Sequence, residues 1–134
     1  MAAEEIDLDS ILNGLTPLIG RTPETEIRAK DNVFATLGEI AGAGIFIGSF
    51  QGDSAWERHP NGNEMVQILR GATVLSILTE NGRRDLHLTA GMMTIVPQGA
   101  WHKFHAPDGV SVMTVTPQPT DHARGELPPP PHSP

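Results

Sequence analysis

Between residues 33 and 116 the sequence is a succession of short apolar runs separated by clusters of glycine, proline and asparagine. The runs follow one another too closely for helices to lie between them, and short strands at this spacing are typical of an antiparallel sandwich or barrel. We therefore predict an all-β domain over residues 33–116. The predicted strands are 33–39, 44–50, 56–59, 65–69, 73–78, 85–88, 93–96, 101–105 and 110–116.

The two flanking segments have a different character. Apolar residues at mostly helical spacings in segment 4–19 predict a short helix that ends near Gly14, within an N-terminal helix and arm over residues 1–32. Residues 117–134 contain seven of the 12 prolines. This Pro-rich tail is predicted to be polyproline-like or disordered, with His122 and His132 in solvent.

Composition excludes several classes of protein. There is no cysteine, so any metal must be bound by histidine, carboxylates or carbonyl groups. The net charge of −7, with no basic stripe, argues against nucleic acid or an anionic membrane surface as a partner. The acidic N-terminus does not resemble a secretory signal, and no apolar run is long enough to span a membrane. We expect a cytoplasmic protein.

Glu57 and His59 lie two residues apart in a predicted strand, so their side chains point to the same face of the sheet. Residues 60–63 are rich in turn formers and would reverse the chain. Glu64, at the start of the next strand, would then return beside His59. The three side chains are therefore candidates for binding a common ligand.

A second informative region runs from Gly91 to His102. Five residues separate Gly91 from Pro97, one separates Pro97 from Gly99, and two separate Gly99 from His102. A predicted strand thus enters a tight turn, and His102 follows at the start of the next strand. A barrel can bring His102 against the first cluster.

Together these two regions resemble the paired motifs of the cupin superfamily. The second motif fits closely, and the first fits from His59 through Glu64, four residues later, to Gly71, six residues further on. The resemblance covers about residues 33–116 and implies an antiparallel cupin-type β-barrel, or jelly roll. Three positions depart from the family pattern: Glu57 replaces the first histidine, Gly52 is displaced by one residue, and Ala106 replaces the final asparagine.

Carried over position by position, the resemblance implies a divalent transition metal, Fe, Mn, Ni or Zn, with the ligands Glu57, His59, Glu64 and His102. Two carboxylates and two neutral imidazoles around a divalent ion give a net charge near zero. Such a site is a weaker Lewis acid, and attracts anions less, than one with three imidazoles and one carboxylate. If Glu57 turns away, the other three form the two-His-one-carboxylate triad that holds Fe(II) in oxygenases.

Three functions are compatible with these motifs. The first is a metal-dependent enzyme of oxygenase, isomerase or lyase type acting on a small organic molecule, and the sequence identifies no further catalytic residue. The others are a non-catalytic binding or sensing module and a metal-free structural cupin. Apolar residues on both faces of segments 65–69 and 74–78 require that one face be covered by the second sheet, the N-terminal segment or another subunit, and a homodimer is the most economical of these. The predicted ligand pocket includes Trp56, Trp101 and Phe104.

Overall fold

The computed structural model describes residues 3–125 and is dominated by one curled antiparallel sheet. This confirms the predicted all-β class and β-barrel architecture. The elements in chain order are α1 (Leu8–Gly14), β1 (Leu18–Arg21), a 3-10 turn (Ala29–Asp31), β2 (Phe34–Ile40), β3 (Ala43–Asp53), β4 (Trp56–Arg58), β5 (Glu64–Thr79), β6 (Gly82–Thr89), β7 (Met93–Val96), β8 (His102–Pro117) and β9 (Asp121–Ala123).

The N-terminal helix is shorter than the predicted segment 4–19. Asp7 caps its start, because the carboxylate accepts a hydrogen bond from the Ser10 amide, and α1 ends at Gly14 as expected. Residues 18 and 19, at the end of that segment and beyond the predicted end of the helix, belong to β1. This strand pairs with β3 in parallel, whereas every other strand pair within the described residues is antiparallel.

Strand β8 organises the sheet, since it forms hydrogen-bonded ladders with β3, β4 and β5. On the far side of β3, strands β2 and β1 lie one after the other along the same edge. Strand β5 pairs in turn with β6 and β7. The curvature of the sheet encloses an interior between β3, β5 and β8, and the short β4 supplies part of its rim.

Two breaks predicted between strands are irregularities within longer strands. Segments 65–69 and 73–78 are parts of the continuous β5, and β8 contains 110–116 and all of 101–105 except its first residue. Gly71 explains the first case: its φ is +73°, and a Cβ atom there would lie 2.3 Å from the carbonyl oxygen of Gly109. The pairing of β5 with β8 shifts register around Gly71, which therefore marks a bulge and not the end of a strand.

Inward-facing residues of these strands form one hydrophobic core. Alternate positions of β5 are buried, as expected for a strand with one face toward the interior. The core cluster comprises Phe50, Val66, Ile68, Leu75, Ile77, Leu88, Val96, Phe104, Ala106, Val110 and Val112. It fills one end of the barrel and leaves the end near β4 for polar residues.

The predicted Pro-rich tail is ordered at its start. Residues Asp121–Ala123 form β9, which pairs with β4, because hydrogen-bonding groups at the free edge of β4 accept another strand. The rest of that prediction, over 126–134 and including His132, lies outside the described residues. No helix within residues 3–125 has the length and apolar character that a bilayer crossing requires.

Candidate metal centre

The short strand β4 places Glu57 between two histidines. In the ladder registers, Glu57 is directly opposite His102 of β8 on one side and His122 of β9 on the other. Directly opposed residues of antiparallel strands project to the same face, with Cβ atoms about 4.5–5.5 Å apart. The three side chains therefore form a row across one end of the barrel.

The structure brings the four predicted ligand residues to one place. Ligand atoms of Glu57, His59 and His102 all lie within 4.8 Å of one another. The carboxylate of Glu64 lies against both imidazoles, with Oε2 3.2 Å from His59 Nε2 and Oε1 3.1 Å from His102 Nε2. His59, Glu64 and His102 are buried, while Glu57 is partly exposed at the edge of the cluster.

Three of these buried polar atoms lack a hydrogen-bond partner among the described residues: His59 Nε2, Glu64 Oε1 and His102 Nε2. The Nδ1 atom of His102 lies 3.0 Å from the carbonyl oxygen of Ala100, which can only accept a hydrogen bond. Nδ1 therefore carries the proton, and in the neutral ring Nε2 presents a lone pair toward the carboxylate. Facing acceptors fit a cation between them, and imidazole with carboxylate is a donor set suited to a divalent transition metal.

The imidazoles and the carboxylate also shift one another's pKa values. Burial alone would raise the pKa of Glu64, but the adjacent rings of His102 and His59 outweigh burial and lower the pKa from 4.5 to about 2. Burial would lower the pKa of His102, but Glu64, with a smaller contribution from Glu57, raises it above 6.5. Without a metal, the cluster therefore favours an ionised carboxylate beside a protonated imidazole.

Threonine hydroxyls orient two of the predicted ligands. Thr116 donates a hydrogen bond of 2.6 Å from Oγ1 to Glu64 Oε2, and Thr114 in turn donates to Thr116 over 2.8 Å. Thr120, just before β9, lies with Oγ1 3.0 Å from Nδ1 of His59. None of these three threonines was predicted to belong to the site. Thr114 and Thr116 lie an even number of residues from His102 on β8, so alternation along a strand places all three side chains on the same face. This spacing is the sequence signal that could have identified the two threonines.

A cavity of about 510 Å³ opens beside the cluster and is lined by Glu57, His59 and Glu64. Arg21 of β1 also lines it, although no feature of the sequence predicted that the N-terminal arm reaches this cavity. One wall is apolar and is formed by Phe34, Phe46, Phe50, Phe104 and Val112. The cavity therefore combines a polar end at the cluster with an aromatic wall.

Of the three predicted pocket residues, only Phe104 lines this cavity. Trp56 and Trp101 each precede a residue of the cluster in sequence, so on an extended strand their side chains point to the opposite face. Both indoles are buried there, beneath cationic side chains: the guanidinium of Arg58 lies 4.7 Å from the Trp101 ring and the ammonium of Lys103 lies 5.1 Å from the Trp56 ring. The expectation that the tryptophans flank the ligand is therefore corrected.

His122 was predicted to lie in a solvated tail. It is exposed, but β9 places it opposite Glu57 and in the lining of the cavity. The sequence could not reveal this, because three residues of β9 carry too short a pattern to predict a strand.

Comparison with known proteins places these features in a family. A curated relative, acireductone dioxygenase of Rhodopseudomonas palustris, is 39% identical over 49 residues. The match covers 37% of this chain and 29% of the relative, so the similarity spans less than a third of that protein. It therefore bears on one segment of the chain only.

Solved structures with the same fold include a cupin-2 domain protein from Shewanella frigidimarina, with a TM-score of 0.56 and 19% identity over 69% of this chain and 94% of that one. Hydroquinone 1,2-dioxygenase from a Sphingomonas species, with 4-hydroxybenzoate bound, has a TM-score of 0.56 and 17% identity over 78% of this chain and 85% of that one. The family model described as the cupin domain matches residues 49–116, half of the chain, and includes His59, Glu64 and His102. The chain belongs to the cupin domain family.

Proposed function

We propose that this cupin is a metal-dependent enzyme of the oxygenase type that acts on a small organic molecule. The observation that carries the proposal is the convergence of His59 Nε2, Glu64 Oε1 and His102 Nε2, three buried atoms without hydrogen-bond partners. With neutral imidazoles, leaving such atoms buried and unpaired costs about 1–3 kcal/mol for each group. A cation bound among all three removes this cost, whereas a proton on His102 pairs only His102 with Glu64. Glu57 is the proposed fourth ligand.

The remaining residues act on the ligands and on the substrate. Thr116 fixes one oxygen of Glu64, so the other oxygen stays directed at the proposed metal position. A divalent iron in a site of this donor type supplies binding and activation of O₂. The cavity beside the ligands is large enough for a small organic molecule, and its aromatic wall keeps water from that side.

The choice of oxygenase over isomerase or lyase rests on the named relatives. The curated relative that matches 49 residues is a dioxygenase, and two of the structural neighbours are hydroquinone 1,2-dioxygenases. The structural likenesses support the fold alone, since the identities are 14% and 17%. The dioxygenase assignment is therefore our inference, and O₂ consumption is its direct test.

Metal content is the first experiment. Purified, untagged protein is incubated with Fe(II), Mn(II), Ni(II) or Zn(II), desalted and measured by inductively coupled plasma mass spectrometry. We expect about one metal per chain in the wild type and loss of that metal in His59→Ala and His102→Ala. His87→Ala is the matched control, because His87 is exposed on β6. A wild type that retains none of the four metals would overturn the metal site and favour a structural cupin.

Oxygen uptake is the second experiment. The Fe(II)-loaded protein is mixed with a panel of small phenols and organic acids in an oxygen electrode chamber. We expect uptake with at least one compound, and none in metal-free protein or in iron-treated His102→Ala. Metal binding without uptake across the panel would favour the non-catalytic binding module.

We also propose that the chain forms a homodimer in the cytoplasm, as predicted from the sequence. One face of β5 remains only half-buried in the single chain, at Met65, Leu69, Val74 and Leu78. Covering these side chains with a second copy would remove further apolar surface from water. Light scattering after size-exclusion chromatography tests the proposal, and a monomer at micromolar concentration would contradict it.

A further inference from the structure

Arg21 is a largely buried cation whose hydrogen-bonding capacity is not used within the described residues. Its side chain is 11% exposed, and its nearest carboxylate oxygen, Oε1 of Glu57, lies 3.9 Å from Nη2, which is beyond hydrogen-bond distance. The guanidinium also lies over the ring of Phe50, 4.6 Å from the centroid. A guanidinium stays charged in proteins and carries five N–H donors. The described side chains around Arg21 accept none of these hydrogen bonds, and Arg21 lines the cavity, so the donors are free to bind a ligand there.

The backbone around Arg21 holds this cation in place. Strand β1 pairs with β3 at Leu18 and at Arg21, which is opposite Gly52. The amide of Gly20 donates a hydrogen bond of 2.7 Å to the side chain of Gln51. A Cβ atom on Gly52 would lie 2.2 Å from the carbonyl oxygen of Arg21, so the close approach of β1 requires glycine there. Arg21 is thus presented to the cavity by a paired strand and not by a mobile loop.

Arg21 also changes the charge expected for the site. The four predicted ligands neutralise a divalent cation when both imidazoles are neutral. The guanidinium of Arg21 adds one positive charge at the same cavity, beside Glu57, and Glu57 cannot compensate fully for both cations. The loaded cavity therefore has an excess of one positive charge. A ligand with a single negative charge would balance it.

The walls beside Arg21 specify the rest of the ligand. Phe50 lies under the guanidinium, Phe104 meets Phe50 edge to face at 5.6 Å, and Phe34 lies 6.4 Å from Phe50 between ring centroids. These side chains line the cavity and favour an apolar ring or chain. We propose that the cavity binds an organic monocarboxylate, with its carboxylate on Arg21 and its apolar part against the phenylalanines. This inference rests on the proposed function, because the bound metal supplies part of the positive charge that the carboxylate would balance.

Benzoate and benzamide are suitable probes, because they have the same ring and nearly the same size but differ in charge. Their affinities for the Ni(II)-loaded full-length protein are measured by isothermal titration calorimetry. Bidentate pairing between a buried guanidinium and a carboxylate is a strong, charge-assisted interaction. We expect benzoate to bind at least about tenfold more tightly than benzamide.

Two variants isolate the guanidinium. Arg21→Gln should bring the two affinities to within about threefold of each other, and Arg21→Lys should retain part of the preference, because the charge remains while the bidentate geometry is lost. The control is Arg28→Gln, an exposed arginine of the same N-terminal arm, which should keep the wild-type preference. Nickel content and melting temperature are measured for each variant, and Arg21→Lys remains informative if Arg21→Gln does not fold.

The outcomes separate this inference from the proposed function. If wild type holds nickel but does not prefer benzoate, or if a folded, nickel-loaded Arg21→Gln keeps the preference, the inference is overturned while the metal site stands. If wild type holds no metal, the proposed function fails. In that case the same titrations on metal-free protein decide the inference: a benzoate preference that depends on Arg21 supports it, and equal binding of the two probes overturns it.

Discussion

Nε2 of His102 and Oε1 of Glu64 lie 3.1 Å apart, yet neither atom has a hydrogen-bond partner within residues 3–125. The pair is fixed on both sides, by the Ala100 carbonyl behind the ring and by Thr116 behind the carboxylate. Only a positive charge between the two atoms relieves this arrangement. In metal-free protein a proton on His102 supplies that charge as long as the pH lies below the pKa of His102, which Glu64 raises. In loaded protein the metal would supply it, so the stability of the fold and metal binding are coupled through this pair.

The first prediction concerns pH and the metal-free protein. The pKa of Glu64 is lower in the folded state, so its contribution to stability is present above its ordinary value of 4.5 and is lost as pH falls toward 2. The pKa of His102 is higher in the folded state, so its contribution is present below 6.5 and is lost as pH rises through its folded value. Stability should therefore be greatest between about pH 4.5 and 6.5.

Chemical denaturation of chelator-treated protein across pH 3–9 measures this profile. In Glu64→Gln both limbs of the profile should flatten, because the charge that shifts the pKa of His102 is removed together with the carboxylate. The exposed-histidine variant His87→Ala should keep the wild-type profile. A wild-type profile that is level from pH 4 to pH 9 would contradict the charged pair.

The second prediction concerns thermal stability with metal. A ligand that binds only the folded state stabilises it by about 2.7 kcal/mol at a free concentration of 100 Kd, which for a chain of this size raises Tm by roughly 10 °C. Differential scanning fluorimetry with Mn(II), Ni(II) or Zn(II) should show this increase, and chelator should reverse it. The increase should shrink at acid pH, where protons compete for His59 and His102. His102→Ala should abolish it, whereas an unchanged increase in that variant would exclude His102 as a ligand.

The third prediction concerns the hydroxyl behind Glu64. Thr116→Val keeps the shape of the side chain but removes the donor to Oε2, so the carboxylate loses its orientation. Metal affinity should fall by about 10–100-fold, and the free energy of unfolding of metal-free protein by about 1–3 kcal/mol. Thr36→Val, at an exposed position of β2, is the control and should change neither. Calorimetric metal titration and denaturant melts measure the two effects.

The fourth prediction concerns the approach of β1 to β3. Gly52→Ala introduces a Cβ atom 2.2 Å from the carbonyl oxygen of Arg21, at a residue whose φ of +120° disfavours any side chain. Strand β1 should shift, and the preference for benzoate over benzamide should fall although no charged group has been removed. Gly14→Ala meets nothing within 4 Å and should leave the preference intact. A preference equal to wild type in folded Gly52→Ala would show that Arg21 does not depend on this contact.

Turn chemistry and alternation predicted most strands of the sheet but not their continuity. The segment 93–96 is β7, and 33–39 differs from β2 by one residue at each end. The break predicted at Gly71 is a bulge, because a glycine in a β-type pattern can mark either a strand end or a bulge, and only the pairing with the partner strand distinguishes them. The break predicted between residues 105 and 110 likewise lies within one continuous strand, β8.

The candidate site was predictable where it depends on local spacing. The motifs identified the four candidate ligands that the structure brings together. Side chains alternate between the two faces of a strand, so Trp56 and Trp101, each next to a candidate ligand in sequence, could have been assigned to the face away from the cavity. Arg21 and Thr120 were not predictable, because each reaches the site through a strand that pairs with a distant part of the chain. Strands pair through backbone hydrogen bonds, so the side-chain sequence of β1 or β9 does not reveal which strand it pairs with.

The family match over residues 49–116 contains His59, Glu64 and His102, whereas Arg21 precedes it and Thr120 and His122 follow it. Each flank joins the sheet through one short strand, β1 or β9. The candidate metal ligands and the guanidinium that would select the charge of a bound molecule are thus encoded in separate stretches of chain, while Phe50 and Phe104 of the matched stretch line the same cavity. Replacing the β1 flank alone would therefore alter the charge preference and leave the aromatic wall and the candidate ligands in place, so charge selectivity is the property of this small barrel most open to redesign.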